Sequence, residues 1–175
     1  MNAETLDEYT LWIEPKGSAH DTLKSTIVGL ANVVGAPVFE PHVTLVGGIH
    51  LHQKEIMNAM KELAHGTGPI ILTFNSIFAT EAFYKSLGLE CNENDQLNNL
   101  RLAAAQAFSI PLSGKAHLSL LYSNASQEIK TDLIRTLPSD ILASATFTAH
   151  SISLWQAKGT ADQWKKVTEV ELFQA

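Results

Sequence analysis

F-E-P-H-V-T-L, residues 39–45, decides how this chain is read, because its core H-V-T-L at 42–45 returns as H-L-S-L at 117–120. Each motif is a histidine, an apolar residue, a hydroxyl residue and an apolar residue. Val43 to Val46 is a short apolar run stopped by Gly47-Gly48, and Leu118 to Tyr122 is a second such run. Both read as buried strands opened by a histidine. With 45% hydrophobic residues and 7 histidines, a double match arises by chance about 2% of the time, given roughly 15% Ser plus Thr.

Upstream of the first motif, Tyr9, Leu11 and Ile13 alternate as a strand that Pro15 and Gly17 close. Residues 18–34 read as a helix with Leu23, Ile27, Leu30 and Val34 on one face, Ser18 and Asp21 as a weak capping box, and Gly35 at its end. Residues 52–65 give a second helix, with Ile56, Met60 and Leu63 inward, and 70–74 a further strand. The order then repeats. Residues 83–89 read as a strand, and 94–108 as a helix burying Leu97, Leu100, Ala104 and Ala107. After the second motif, 126–137 is a helix with Ile129, Leu133 and Leu137 inward, and 145–156 a long strand. A last strand covers 166–173.

The histidines stand 75 positions apart, and that offset carries the other elements of one half onto their counterparts. The spacing therefore predicts an α+β fold built as two pseudo-symmetric β-α-β-α-β lobes, 8–75 and 83–156, with a terminal strand over 166–173, all within one bilobal domain of residues 1–175. Mixed or antiparallel sheets would line a central cleft, with helices outside. The two motif strands would meet across that cleft, each offering a histidine and, two residues on, a hydroxyl on the same side.

Composition narrows the partner. The net charge is −6 and the 12 Lys and Arg are scattered, so no basic stripe suits a long nucleic acid. A small phosphorylated ligand remains open. One cysteine, Cys91, excludes an internal disulfide and a cysteine metal cluster. Residues 1–8 are polar and acidic, and no stretch approaches the ~18 apolar residues of a membrane span. A cytoplasmic, monomeric protein without a membrane partner is expected.

Two imidazoles facing one phosphate form an acid–base pair. One takes a proton from attacking water while the other protonates the departing oxygen, since imidazole titrates at about 6.5. Thr44 and Ser119 would donate to the non-bridging oxygens, where charge grows in the transition state. This scheme needs no metal and no cofactor. His50 and His52 lack a third ligand at sensible spacing, so they do not suggest a metal site. His20, His65 and His150 read as surface or strand residues, and no G-x-S-x-G nucleophile element occurs.

Two H-x-[ST]-x motifs in a chain of this size resemble the two-histidine phosphoesterase superfamily. The pieces Y-T-L-W at 9–12, F-E-P-H-V-T-L at 39–45 and H-L-S-L-L-Y at 117–122 look most like plant-type cyclic phosphodiesterases. Those enzymes act on ADP-ribose 1″,2″-cyclic phosphate and nucleoside 2′,3′-cyclic phosphates. The chain departs from them at Ala116, where plant members often carry proline, and in having a single cysteine.

The resemblance implies His42 and His117 as the catalytic pair. It implies Thr44 and Ser119 as phosphate-binding hydroxyls and Tyr122 as the tyrosine near the phosphate, against the plain alternative of a core aromatic. Lys85 falls at the repeat equivalent of Thr10, where it would meet phosphate as a point charge or stand as an exposed edge lysine. Trp12 would stack on a base or ribose, or serve the core.

The expected reaction is in-line attack of water on a small cyclic phosphodiester, giving a 2′-phosphate or an ADP-ribose 1″-phosphate. The motifs are too symmetric to order the two histidines, although His117 as base and His42 as acid is the leaning. The alternatives are a relative acting on RNA ends or 2′–5′ linkages, and a nucleotide-binding module without catalysis.

Overall fold

The computed structural model describes residues 7–174. Residues 1–6 of the polar N-terminal stretch, and residue 175, lie outside the described residues. The elements run β1 (Tyr9–Ile13), α1 (Gly17–Val34), β2 (Val43–Ile49), α2 (Gln53–Ala64), β3 (Ile70–Leu72), β4 (Phe74–Ala79), β5 (Leu87–Cys91), α3 (Asp95–Ala107), β6 (His117–Leu121), α4 (Gln127–Thr136), α5 (Ile141–Ser144), β7 (Phe147–Ala149), β8 (Ser151–Gln156) and β9 (Lys165–Glu171).

Helical spacing fixes what each helix buries. In α1 the inward set is Ala19, Leu23, Ile27, Leu30 and Ala31, three or four residues apart. Gly35 ends it at φ 66, a left-handed conformation that costs glycine nothing, and returns its N–H to Ala31 O. Burying each leucine or isoleucine of that face contributes roughly 1.5–3 kcal/mol. Strand β1 is buried at all five positions because it lies between β2 and β8.

Seven strands form one sheet in the order β4-β5-β6-β2-β1-β8-β9, and β3 pairs with β7 apart from it. Every strand pairing is antiparallel. The fold is α+β, as the repeat predicted, with an exchange. The last strand of each half crosses over, so β4 lies beside β5 and β8 beside β1. The first helices cross too, α1 packing against β6 and α3 against β2.

Strands β2 and β6 meet at one registered pair, Val43↔Leu118. Continuing that antiparallel register by one residue sets His42 opposite Ser119 and Thr44 opposite His117. Side chains alternate along a strand, so all four stand on one face.

Several elements differ from expectation. Residues 83–89 are not one strand: Phe83–Lys85 form a 3₁₀ turn and β5 starts at Leu87. Strand β4 continues past the expected end at Phe74, because Ile77 and Phe78 find a partner strand in β5. The long strand over 145–156 is two strands, β7 and β8, broken at His150 and preceded by α5. Helix α1 begins at Gly17 with Lys16 before it and no side-chain cap, so Ser18 lies inside the helix. In α4, Ile129 is exposed and Lys130 is fully buried, because Lys130 Nζ donates to Thr80 O at 2.7 Å beneath β4. In α3, Ala107 faces outward and Arg101 is buried instead. Among the described residues, no helix is long and apolar enough to cross a membrane.

Candidate active site

A cleft of about 780 Å³ opens over the β2–β6 seam, and His42, Thr44, His117 and Ser119 all line it. Tyr122, Lys85 and Trp12 line it as well. The seven residues singled out in the sequence therefore share one cavity, although they come from four segments far apart in the chain.

His42 is held at its ring edge and on one face. Its Nδ1 lies 2.6 Å from Glu40 O. A carbonyl only accepts, so Nδ1 carries the proton and Nε2 of the neutral ring keeps its lone pair. Trp12 stacks flat on the imidazole, with ring centroids 3.5 Å apart at 6°. Trp155 in turn stacks on Trp12 at 4.6 Å. The ring is 7% exposed, and burial drives its pKa down to about 4. The Glu40 carbonyl and the Glu14 charge pull the other way, and His117 adds to the depression.

His117 repeats the arrangement more loosely. Its Nδ1 lies 3.1 Å from Lys115 O, which again leaves Nε2 free. The ring is half-buried. Its neighbour is the edge of Phe78, at 5.6 Å and 80°. Burial lowers its pKa, the Lys115 carbonyl and Glu90 raise it, and the positive charges of Lys85 and Arg101 lower it.

The hydroxyls differ too. Ser119 Oγ donates to Tyr84 O at 3.1 Å, whereas Thr44 is half-buried in the cleft wall with no protein partner on its hydroxyl among the described residues. Tyr122 is buried, stacks on Phe39 at 3.7 Å, and has its phenol pKa raised by that burial. Trp12 is 2% exposed, so its indole serves mainly as the wall behind His42.

Lys85 reaches the cleft from the 3₁₀ turn, not from a strand. That turn is tied at several points. Thr80 Oγ1 donates to Lys85 O at 2.6 Å, Thr80 N to Ser86 O at 2.9 Å and Ser123 N to Phe83 O at 3.3 Å. Lys130 holds the carbonyl of Thr80 from below. Lys85 Nζ sits 5.2 Å from the centre of the Phe78 ring and has no carboxylate partner among the described residues.

Four lining or buttressing residues are not marked by the sequence reading. Tyr84 and Trp164 stand 6.2 Å apart at the rim, Phe78 props His117, and Arg101 reaches the wall from α3. The signal for Phe78 is the run N-S-I-F-A-T, whose isoleucine and phenylalanine extend a strand. No local pattern marks the others. Of the remaining histidines, His20 bonds Asp21 and Glu40, and His65 packs edge-on to Phe173. His50 and His52 do not line the cleft. No group of three His, Cys, Asp or Glu side chains that could hold a metal ion is found among the described residues.

Residues 8–172 match the model of a family described as cyclic phosphodiesterase-like protein. A 2′,3′-cyclic-nucleotide 3′-phosphodiesterase of Kluyveromyces lactis is 26% identical over 136 residues, covering 66% of this chain and 64% of that protein. The match thus spans somewhat less than two thirds of the relative's length.

Among solved structures, Escherichia coli LigT complexed with ATP superposes with a TM-score of 0.67 at 16% identity, over 98% of this chain and 100% of that one. The Thermus thermophilus protein TT0787 gives 0.65 at 11%, over 94% and 97%. LigT complexed with 3′-AMP gives 0.63 at 14%, over 96% and 99%. At these identities the structures share the fold alone. With the family model matching almost end to end, and both histidine motifs in one cleft, the chain belongs to the cyclic phosphodiesterase-like family within the two-histidine phosphoesterase superfamily.

Proposed function

We propose that the chain is a cyclic phosphodiesterase that hydrolyses a nucleoside 2′,3′-cyclic phosphate, or the related ADP-ribose 1″,2″-cyclic phosphate, to a 2′-phosphate or an ADP-ribose 1″-phosphate. One observation carries this reading. Both histidines commit Nδ1 to a carbonyl two residues back, which leaves both Nε2 atoms free in one cleft that Thr44 and Ser119 also line. The name of the Kluyveromyces lactis relative supports the substrate class, and the 3′-AMP in the LigT structure supports a small nucleotide in this cleft.

The proton roles follow from burial. His42, with its pKa near 4, is neutral at working pH and accepts a proton from water at Nε2. His117, the less buried ring, takes up a proton more readily and returns it to the leaving ring oxygen as the P–O bond breaks. The opposite order requires His42 protonated while His117 is neutral. Each pH unit between the two pKa values makes that state about tenfold rarer. This reverses the leaning drawn from the motifs. Thr44 and Ser119 donate to the non-bridging oxygens, and Lys85 adds a positive charge beside them.

Tyr84 and Trp164 offer aromatic faces for a base. Every residue given a role here comes from one chain, which supports a monomer. The net charge of −6 and the few cations at the cleft favour a mononucleotide over an RNA end.

The test is a panel of cyclic phosphates, cyclic mononucleotides beside a cyclic-ended oligonucleotide, with phosphorus NMR of the products. A 2′-phosphate from the mononucleotide supports the reading. Turnover of the oligonucleotide alone transfers it to RNA ends, and no turnover of any member sinks it in favour of a binding module.

A further inference from the structure

The segments that deliver the two histidines have no regular secondary structure, since α1 ends at Val34 and β2 starts at Val43, while α3 ends at Ala107 and β6 starts at His117. Each histidine nevertheless depends on a carbonyl within its segment, Glu40 O for His42 and Lys115 O for His117. A carbonyl outside any sheet ladder is free to turn unless something fixes its neighbours.

The same device fixes both. Lys24 of α1 donates from Nζ to Phe39 O at 3.1 Å, three residues before His42. Arg101 of α3 donates from Nη1 and Nη2 to Gly114 O, both at 3.3 Å, three residues before His117. Its Nη2 also reaches Ser113 O at 3.4 Å. The cation comes each time from the helix leading into the segment, and the two lie 77 positions apart where the histidines lie 75 apart.

The Arg101 contact is not set by a carboxylate. Lys24 also pairs with Glu40 at 2.6 Å, but Arg101 has no acidic partner among the described residues and is 7% exposed. A buried guanidinium without a counter-ion is costly, so carbonyls are what holds it there. Gly114 has φ 62, a kinked peptide where the chain needs such a hold.

We propose that Lys24 and Arg101 are paired positioning residues, one per half, each gripping the carbonyl at the third position before a histidine so that the carbonyl at the second fixes that ring's tautomer and aim. This rests on the reading of His42 and His117 as the catalytic pair. Arg101 grips with two nitrogens where Lys24 uses one, so Arg101→Lys keeps the charge and a single donor and is a partial rescue.

The test is Arg101→Met and Lys24→Met in the full chain. Turnover of 2′,3′-cyclic AMP is measured beside long-range proton–nitrogen NMR of the histidine rings, which shows which ring nitrogen holds the proton. Arg101→Met should lower kcat by roughly 10- to 10²-fold, as a misaimed catalytic group does, with KM changed less than about twofold. The His117 ring should lose its fixed Nδ1–H form while His42 keeps it. Lys24→Met should do the mirror image, and Arg101→Lys should restore the His117 form and part of the turnover.

If His117 keeps its tautomer in Arg101→Met, or either variant disturbs both rings equally, the positioning role is overturned. If Arg101→Met does not fold, the half-buried Lys24 carries the same test through His42 alone, and an unchanged His42 ring overturns the proposal. If each ring responds to its own variant while turnover stays put, the positioning role stands and the catalytic reading of the histidines falls.

Discussion

The two halves place the same motif in different surroundings. In the first, Trp12 lies opposite Thr44 across the β1–β2 pair and covers His42 with its whole face. In the second, Gly88 lies opposite Ser119 across β5–β6, the equivalent place. A Cβ there would meet Leu118 O at 2.6 Å and Phe78 Cζ at 2.7 Å, so glycine is required to let the Phe78 ring in. One half thus buries its imidazole flat under an indole, and the other leaves it half-open beside a phenyl edge. Matching motifs supply matching reach, and unlike covers supply unlike proton affinity. That is how a doubled unit can yield one base and one acid.

The largest expected effect treats the halves alike. His42→Ala and His117→Ala should each reduce kcat/KM by about 10²–10⁴-fold, the usual share of a positioned acid or base. Affinity for the product nucleotide, read by calorimetry, should stay close to wild type. Wild-type turnover in either variant removes the paired mechanism.

The hydroxyls separate the halves. The Thr44 hydroxyl has no partner among the described residues, while Ser119 already donates to Tyr84 O and must give up that bond to serve phosphate. Thr44→Val should therefore cost about 10²-fold in kcat, the lower end for a donor to growing negative charge. Ser119→Ala should cost nearer 10-fold. A larger loss at Ser119 would show that the serine, not the threonine, carries the phosphate.

Next comes acid stability, dominated by the first half. The folded pKa of His42 is about 4 against about 6.5 unfolded. Between those values the unfolded chain binds more protons, so stability falls as pH drops through that window, by up to about 3 kcal/mol from this residue. His42→Gln removes the group while leaving other titrations in place. Its denaturant-unfolding free energy should vary less from pH 6.5 to 4 than that of the wild type, and parallel curves would show the ring is not buried neutral.

How much of this is legible in the sequence follows from range. Periodicity locates α1, α2, α3 and α4 because helix faces are written at three- and four-residue spacing. The four cleft residues His42, Thr44, His117 and Ser119 are legible because H-x-[ST] puts both side chains on one face of a strand. The seam between the motifs can be anticipated from the repeat, whereas the exchange of β4 and β8 cannot. Nothing in Phe74 to Ala79 says that its partner lies across a turn in the other half. The turn carrying Lys85 reads as a strand because its ties come from Thr80, Ser119, Ser123 and Lys130, none of which a local pattern can place. Lys130 itself breaks the amphipathic reading of α4, since a lysine buried under a backbone carbonyl looks in sequence like a surface charge.

The smallest expected effect bears most directly on which histidine is which. Lys85 holds the His117 pKa down after burial has done so, Arg101 acts the same way, and Glu90 opposes them. Removing the charge with Lys85→Met should raise the His117 pKa, and Glu90→Gln should lower it. With His42 as base and His117 as acid, kcat/KM rises on the acid side near pH 4, the His42 value, and falls on the alkaline side as His117 loses its proton below 6.5. Lys85→Met should thus carry the alkaline limb upward and leave the acid limb in place, with KM up by a few-fold, roughly 1 kcal/mol of lost attraction to the phosphate. Glu90→Gln should carry the same limb downward. The reverse assignment gives the same bell for the wild type but lets only the small reverse-protonated fraction react. Raising His117 away from His42 would then lower the peak of kcat/KM in Lys85→Met beyond what the change in KM explains, and that drop, if seen, hands the base back to His117.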